Sequence, residues 1–592
     1  MNSKSISEML ESSFDYSSVD DSDDDPSWDK NVEVMSTSTT SSIQNNGRHV
    51  NIVASDVELS GVSEINSDGN DPDFDMVSHI SASTDGDFAP TARGQGCPSI
   101  HTNDRQWRDD DNVVDDFMFN PDITNSGINP DLFDVLMHGS PLDFYMLIVD
   151  SKIINNIVIE TNKFAAQQKE AKLTSPFARL NKWYDTNVTE MKQLFGILIW
   201  TGLVVLPSYE LYWSTSEIFS TNFGLIMSRN RFEILMGMLH FSDNTTADTT
   251  NRLYKLGTVI DDIIINSNHC MQPLKDLCID ESLVKFMGRL AFKQYIKNKR
   301  DRFGVKEFKL CIPPCYTIAL KIYAGKEASP ESSVGTKIVM ELGEPFLDCG
   351  RTLYVDNWYS SVELAEQLKT RKTHLVGTIR SNRKSNPKDV VQKKLKKGEI
   401  VSKRSDTNVL ILKWKDKRDL YMISTKHTSE AVENVVRGKI VKKPKVVIDY
   451  NTGKTAIDLS DQMSSYSNPL RRTTKWYRKV ALDALLNIAV VNSMVLFNTI
   501  TSSKMSITDF RTSLVEQLLK KETVDVDSSL QTINHQLEVV GKSRCYVCYS
   551  IMSKRKGRNY AQSHSTKVQT KCLVCNKYYC LKCFFKNHKI TK

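Results

Sequence analysis

The stretch Leu277-Cys278-Ile279-Asp280-Glu281-Ser282 decides the reading of this chain. Three apolar residues lead straight into two carboxylates, and a basic, aromatic-laced segment runs from Arg289 to Lys309. Such a run reads as a short strand ending in acid. Acids at a strand end beside a row of cations suit a divalent metal held next to a phosphate backbone. Two later aspartates stand in comparable places: Asp356 follows the run Arg351–Val355, and Asp458 lies near a helix start. Asp461 comes three residues later, on the same helical face, and either tunes the site or binds directly. Phosphodiester cleavage by two divalent ions needs oxygen ligands that converge from separate elements. Mg²⁺ (or Mn²⁺) takes few carboxylates and completes its shell with water and phosphate, so Asp280, Asp356 and Asp458 suffice. Spacing alone is weak support, because an acid at a strand end is more often a turn or a cap.

The neighbouring texture is that of strands. Leu277–Ile279 is followed by Phe303–Cys311, Thr317–Tyr323 and Arg351–Val355. Ser360-Ser361-Val362-Glu363 then caps a helix reaching Lys369, and Thr373–Ile379 is a further strand. This order predicts a mixed sheet with a crossover helix. Upstream, Ser140-Pro141-Leu142-Asp143 reads as a helix start, and apolar residues recur at helical spacing through Phe164. Two more helices are expected over 189–203 and 230–241. Residues 384–450 read as a lysine-rich β insertion, with Val409–Trp414 and Leu420–Thr425 forming a hairpin. Helices resume near Thr455. The longest apolar stretch, Val480 to Phe497, contains Asp483, Asn487 and Asn492, which lipid would reject, so it is a buried helix and no membrane is implied.

Charge is divided unevenly. Residues 1–120 hold 25 Asp+Glu against 6 Lys+Arg, a balance of −19, and the remainder carries +25. A basic body favours a polyanion, most simply nucleic acid. The Ser-, Asp- and Asn-rich arm over 1–130 cannot bury enough apolar surface to order itself, so it is expected to be disordered. No basic-then-apolar leader is visible. Six of the 12 cysteines fall in the last 48 residues, as Cys545-x2-Cys548, then Cys572-x2-Cys575-x4-Cys580-x2-Cys583-x4-His588. Paired thiols at this separation match tetrahedral zinc. Six cysteines and one histidine exceed one site, and the short gaps call for an interleaved two-zinc module. His564 is the nearest candidate for the eighth ligand. Within it, Lys554-Arg555-Lys556-Gly557-Arg558 reads equally as a phosphate contact, a nuclear signal or a solvated loop.

Taken in order, these motifs resemble the piggyBac transposase family. The resemblance rests on Ile279–Leu283, Gly288-Arg289-Leu290, Lys293-Gln294-Tyr295, Arg302–Lys306, Val355-Asp356-Asn357-Trp358-Tyr359-Ser360-Ser361, Gly377–Arg383, Asp449-Tyr450-Asn451, Ile457–Gln462 and Lys475–Lys479. It implies an α+β multidomain protein. A ribonuclease-H-like catalytic core over 266–383 would carry the triad Asp280, Asp356 and Asp458, with the β-rich insertion over 384–450 between its second and third members. A split α-helical dimerisation and DNA-binding domain would span 131–265 and 455–520. A linker over 521–542 would lead to a cross-brace zinc domain over 543–592, holding two Zn²⁺. The resemblance further implies cut-and-paste transposition at TTAA sites, through hairpin ends, by a nuclear homodimer on double-stranded DNA. Arg289, Lys293, Lys299, Arg302, Arg380 and Arg383 would hold DNA. A transposase-derived DNA-binding protein that has lost cleavage is the alternative.

Overall fold

The computed structural model describes residues 105–109, 117–120 and 126–587, apart from 172–178, 220, 247, 249, 297–300, 326–332, 437–438, 472–474, 521–536 and 573–575. The chain forms two compact units, 1–520 and 521–592. In the first, helices α1 (Pro141–Ile148), α2 (Ser151–Ala171), α3 (Val188–Leu203), α4 (Arg229–Met238) and α5 (Val259–Cys270) precede the sheet. Ser140 and Asp143 form the expected capping box at α1, where the Ser140 N–H donates to Asp143 Oδ2 at 2.7 Å. Asn187 caps α3 and Ser228 caps α4 by accepting from backbone N–H groups three residues on.

The sheet begins with β1 (Asp276–Lys285), β2 (Phe303–Ile312) and β3 (Tyr316–Ile322), an antiparallel meander. Helix α6 (Val334–Gly343) then crosses to β4 (Thr352–Val355), which runs parallel to β1 with Ile279 opposite Val355. Helix α7 (Val362–Thr370), capped by Ser361 as the sequence predicts, leads to β5 (His374–Thr378), parallel to β4. The strands thus stand in the order β3-β2-β1-β4-β5.

Beyond β5 the sheet continues. Strands β6 (Ile400–Ser405), β7 (Leu410–Lys415) and β8 (Asp419–Ser424) pair in series, and β8 lies antiparallel to β5. The boundary drawn at 384 therefore falls inside one ten-stranded sheet. Only β9 (Ala431–Val436) and β10 (Lys439–Pro444) make a separate hairpin there. The arm drawn to 130 also needs correction, because parts of its C-terminal end belong to the fold. Trp107–Arg108 pairs with β6, Arg105 donates twice to Glu366 at 2.9 and 2.6 Å, and Phe117 stacks on His374 at 4.3 Å. Gly127–Ile128 pairs with Met271–Gln272. Isolated aromatics in an acidic segment have found an unpaired sheet edge. The rest of the acidic arm, 1–104, 110–116 and 121–125, lies outside the described residues.

After the sheet come α8 (Lys445–Gly453), α9 (Thr455–Ser465), α10 (Trp476–Asp483), a π-turn over Ala484–Ile488, α11 (Ala489–Ile500) and α12 (Ile507–Leu519). Helices α11 and α12 pack on α1, and α12 on α3, so helices from before and after the sheet share one core. Trp476–Ile500 is long and apolar enough to cross a membrane but is wholly buried in the fold. Its polar residues are paired, as a buried helix requires. Asp483 accepts from Asn487 at 2.7 Å, and Arg511 bridges Asn487 Oδ1 and the Leu486 carbonyl of the π-turn, both at 2.9 Å. Asn492 accepts from the Thr317 N–H and donates to its carbonyl, each at 2.8 Å, which pins α11 to β3. Asn492→Ala would leave both Thr317 groups unpaired at a cost of about 1–3 kcal/mol each. A clear fall in thermal midpoint by calorimetry is expected, and a native midpoint would contradict this role.

Candidate functional site

The acids are assembled by strand register. Ile279 lies opposite Val355 in a parallel pair, and the chain follows that last paired rung with Asp280 within β1 and Asp356 in the loop just past β4. Asp280 Oδ1 accepts from the Glu281 N–H at 2.8 Å, and Asp356 Oδ1 accepts from the Trp358 N–H at 2.7 Å. The second contact starts the tight loop that returns the chain to α7. Burial, reinforced by Glu281, pushes the Asp356 carboxyl above its usual range against the pull of the Trp358 N–H.

The third aspartate arrives on α9, which lies on β1 and β2. In an antiparallel pair, directly opposed residues share a face. Cys278 opposes Cys311, Asp280 opposes Lys309, and Ser282 opposes Glu307, so these six share the face that α9 covers. Ala456 and Ile457 pack on Cys278 and Cys311, and Cys278 Sγ donates to the Lys454 carbonyl at 3.3 Å. Gly453 permits this approach, since a Cβ there would lie 2.4 Å from the Tyr354 ring. Asp458 sits in the first turn of α9 and is exposed. Burial, then Asp280, Cys311 and Asp458, push the Cys278 thiol up. Burial and both Asp280 and Asp356 do the same to the Tyr359 and Tyr450 hydroxyls. Asp280 thus shares Cys278 with Asp458, and it shares Tyr359 and Tyr450 with Asp356. All-carboxylate oxygen donors suit a hard divalent ion such as Mg²⁺ or Mn²⁺.

Asp461 stands apart from that trio. Its oxygens accept from Ser282 Oγ at 2.7 and 2.8 Å, and Oδ1 lies 3.1 Å from Lys309 Nζ. Lys309 is buried beside Glu307 at 3.9 Å. Burial alone would lower the Lys309 ammonium, but Asp461, Glu307 and Asp483 outweigh it and keep it charged. Burial pushes the Glu307 carboxyl up to about 8 despite Lys309. The sequence reading missed Ser282, Lys309, Tyr359 and Tyr450. A lysine and a glutamate alternating through an otherwise apolar strand, Glu307-Phe308-Lys309, was the available signal.

The cations divide into two groups. Arg380 is exposed and donates to Asn357 Oδ1 at 2.9 Å, beside Asp356. Arg383 is turned inward and donates to the Asn357 and Trp358 carbonyls at 3.2 and 2.8 Å, bracing the loop after Asp356. Arg289 and Arg302 are exposed, and Lys293 Nζ donates to the Gly288 carbonyl at 3.0 Å. These lie near the far end of β1, where Lys285 opposes Gly304, five residues or about 17 Å along the strand from Asp280. Lys299 lies outside the described residues.

In the second unit, β11 (Leu537–Arg544) leads into α13 (Tyr546–Lys556) and α14 (Arg558–His564). Strands β12 (Lys567–Cys572) and β13 (Lys577–Tyr578) and helix α15 (Leu581–Asn587) follow. Cys545, Cys548, Cys580 and Cys583 bring their Sγ atoms within 4.8 Å of one another. Cys548 Sγ lies 3.9 Å from that of Cys580 and 3.6 Å from that of Cys583. Four thiolates around a Zn²⁺ at 2.3 Å would stand roughly 3.8 Å apart, so this cluster could bind zinc. Burial would raise the Cys545 thiol, but the Cys548 and Cys580 backbone N–H groups hold it down at about 7. The first cysteine pair thus joins the last. Cys572 is buried against Tyr579 and Phe584, whereas Cys575 and His588 lie outside the described residues. His564 is not in the thiol cluster. Its Nδ1 lies 3.1 Å from the Tyr560 carbonyl, and its ring stacks on Tyr560 at 4.0 Å. Cys548→Ser is expected to lower bound zinc by at least one equivalent by mass spectrometry. Unchanged metal content would exclude this ligand set.

Comparison with known proteins places these features in a family. The family model described as Transposase IS4 matches residues 140–494, more than half of the chain and all four aspartates. Human PiggyBac transposable element-derived protein 3 is 24% identical over 456 residues, covering 71% of this chain and 73% of its own length. Human PiggyBac transposable element-derived protein 2 is 26% identical over 377 residues, or 59% and 61% of the two chains. Among solved structures, a piggyBac transposase synaptic complex with hairpin DNA matches at a TM-score of 0.59 and 26% identity, covering 77% of this chain and 97% of that one. The chain therefore belongs to the piggyBac-type transposase family.

Proposed function

We propose that this protein cuts and joins DNA, with Asp280, Asp356 and Asp458 holding two Mg²⁺ (or Mn²⁺) ions. The observation that carries this reading is the register pairing of Ile279 with Val355, which two of the acids directly follow, with the helix bearing the third lying on β1 and β2. Bound divalent ions would polarise the phosphate and stabilise the attacking and leaving oxygens. The chain's own part is to fix the three carboxylates from separate elements and to brace the Asp356 loop through Arg383. A ribonuclease-H-like core is supported by the order β3-β2-β1-β4-β5, an antiparallel meander followed by two parallel strands. Exposed Arg380 beside Asp356, and Arg289 and Arg302 further along, are the phosphate contacts we favour, with TTAA-flanked element ends as substrate. The solved relative in a complex with hairpin DNA supports this substrate class. A nuclear homodimer and a second zinc held by Cys572, Cys575 and His588 complete the proposal.

The other reading is a DNA-binding protein that no longer cleaves. The curated relatives, named as element-derived proteins, favour it. A gel assay on a TTAA-flanked end with Mg²⁺ separates the two. Nicking that falls at least roughly 100-fold in Asp280→Asn, Asp356→Asn and Asp458→Asn supports the enzyme, since each loss removes several kcal/mol of ion-borne stabilisation. Specific binding without nicking leaves only the second reading. Within either, Arg380→Ala should weaken DNA binding across sequences and reduce the salt slope by about one. Arg383→Ala should instead lower the thermal midpoint, because it strips two loop carbonyls of their donor. A reversed pattern would contradict this division.

A further inference from the structure

We propose that Ser282 and Lys309 clamp Asp461 to set where α9 carries Asp458, making Asp461 a positioning residue and not a metal ligand. This rests on the reading of Asp280, Asp356 and Asp458 as the metal-holding acids. The Asp461 carboxylate is already engaged by a hydroxyl at 2.7 and 2.8 Å and an ammonium at 3.1 Å. Both donors are 3% exposed, so neither can swing into solvent and release it. Charge-assisted hydrogen bonds are short and directional. Apart from a long Ser460 Oγ–Thr317 Oγ1 contact at 3.5 Å and the Cys278 thiol on the Lys454 carbonyl, the rest of the contact between α9 and the sheet, Ala456 and Ile457 on Cys278 and Cys311, is apolar and does little to fix rotation about the helix axis. A clamp at Asp461 supplies that missing constraint. Asp458 lies three residues earlier, less than one helical turn or about 4.5 Å along the axis, so an anchored Asp461 fixes the direction in which Asp458 points.

Lys309 is suited to this part by its place in the sheet. It stands directly opposite Asp280, so the cation that grips α9 belongs to the same ladder rung as the first acid. It also lies 3.9 Å from Glu307, whose buried Oε2 meets no hydrogen-bond partner among the described residues. The clamp therefore joins β1, β2 and α9 at one point.

The test measures Mn²⁺ binding by electron paramagnetic resonance, with thermal midpoints, on the full chain. Ser282→Ala should bind Mn²⁺ roughly 10-fold more weakly while keeping a near-native midpoint, the size of effect that outer-shell partners of metal ligands have. Asp461→Asn keeps an oxygen for Ser282 and Lys309. It should lose about 10-fold or less, against about 100-fold for Asp458→Asn. Lys309→Met should be markedly less stable than native, and Lys309→Met/Asp461→Asn should recover part of the lost midpoint. Native affinity in Ser282→Ala, loss in Asp461→Asn equal to that in Asp458→Asn, or no recovery in the double variant would each overturn the clamp alone. Native Mn²⁺ binding by Asp280→Asn would overturn the metal-site reading and the clamp with it.

Discussion

One pairing register governs the rest of this structure. Residues 76 positions apart become neighbours because β1 and β4 run parallel with Ile279 set against Val355. Side chains alternate along a strand, so a slip of one residue would turn Asp356 or Asp280 to the other face. The register is held from both sides. The buried runs Leu277–Ile279 and Leu353–Val355 lie in the core, and the antiparallel β2 locks the far edge of β1 from Cys278 to Lys285. The placement of Asp280 and Asp356 after this rung is therefore a by-product of core packing that polar side chains could not have organised.

The face beneath α9 is built differently from the remainder of the sheet. It presents Cys278, Asp280, Ser282, Glu307, Lys309 and Cys311. Small and polar residues there let a helix lie close, and they also place ionisable groups where water is scarce. Burying such groups is unfavourable unless they are paired. The ammonium of Lys309 and the hydroxyl of Ser282 answer Asp461, while burial favours the protonated form of Glu307. The interior thus holds a group of mutually compensating charges.

Much of this was legible in the sequence wherever the signal is local. The strand expected to end in acid at 280–281 runs on to Lys285, but the caps at Ser140 and Ser361 and the paired cysteines each declare themselves within a few residues. What depended on pairing between distant segments did not. The hairpin at 410–424 reads as self-contained, and nothing within it announces that β8 joins β5 and extends the main sheet. Trp107 and Phe117 are lost in the average of an acidic segment, although each has a specific partner in the fold. Arg380 and Arg383 look alike in one motif. Only the loop geometry turns one outward and the other onto the Asn357 and Trp358 carbonyls.

The same alternation separates Glu281 from Asp280, its neighbour in sequence. Consecutive residues of a strand point to opposite faces. Asp280 goes with Lys309 and α9, whereas Glu281 goes with Phe308, directly opposite it, and with Lys306 at 3.7 Å. Lys306 lies 4.7 Å from the centres of both the Phe308 and Trp358 rings, so its charge is held by aromatic faces as well as by Glu281. Each face of β1 therefore has its own acid and its own lysine. On the Glu281 face the cation ties the sheet to the loop that follows Asp356, and on the Asp280 face it ties the sheet to the helix that brings Asp458. Two chemically similar ion pairs thus hold two different segments against the sheet, the loop after Asp356 and helix α9.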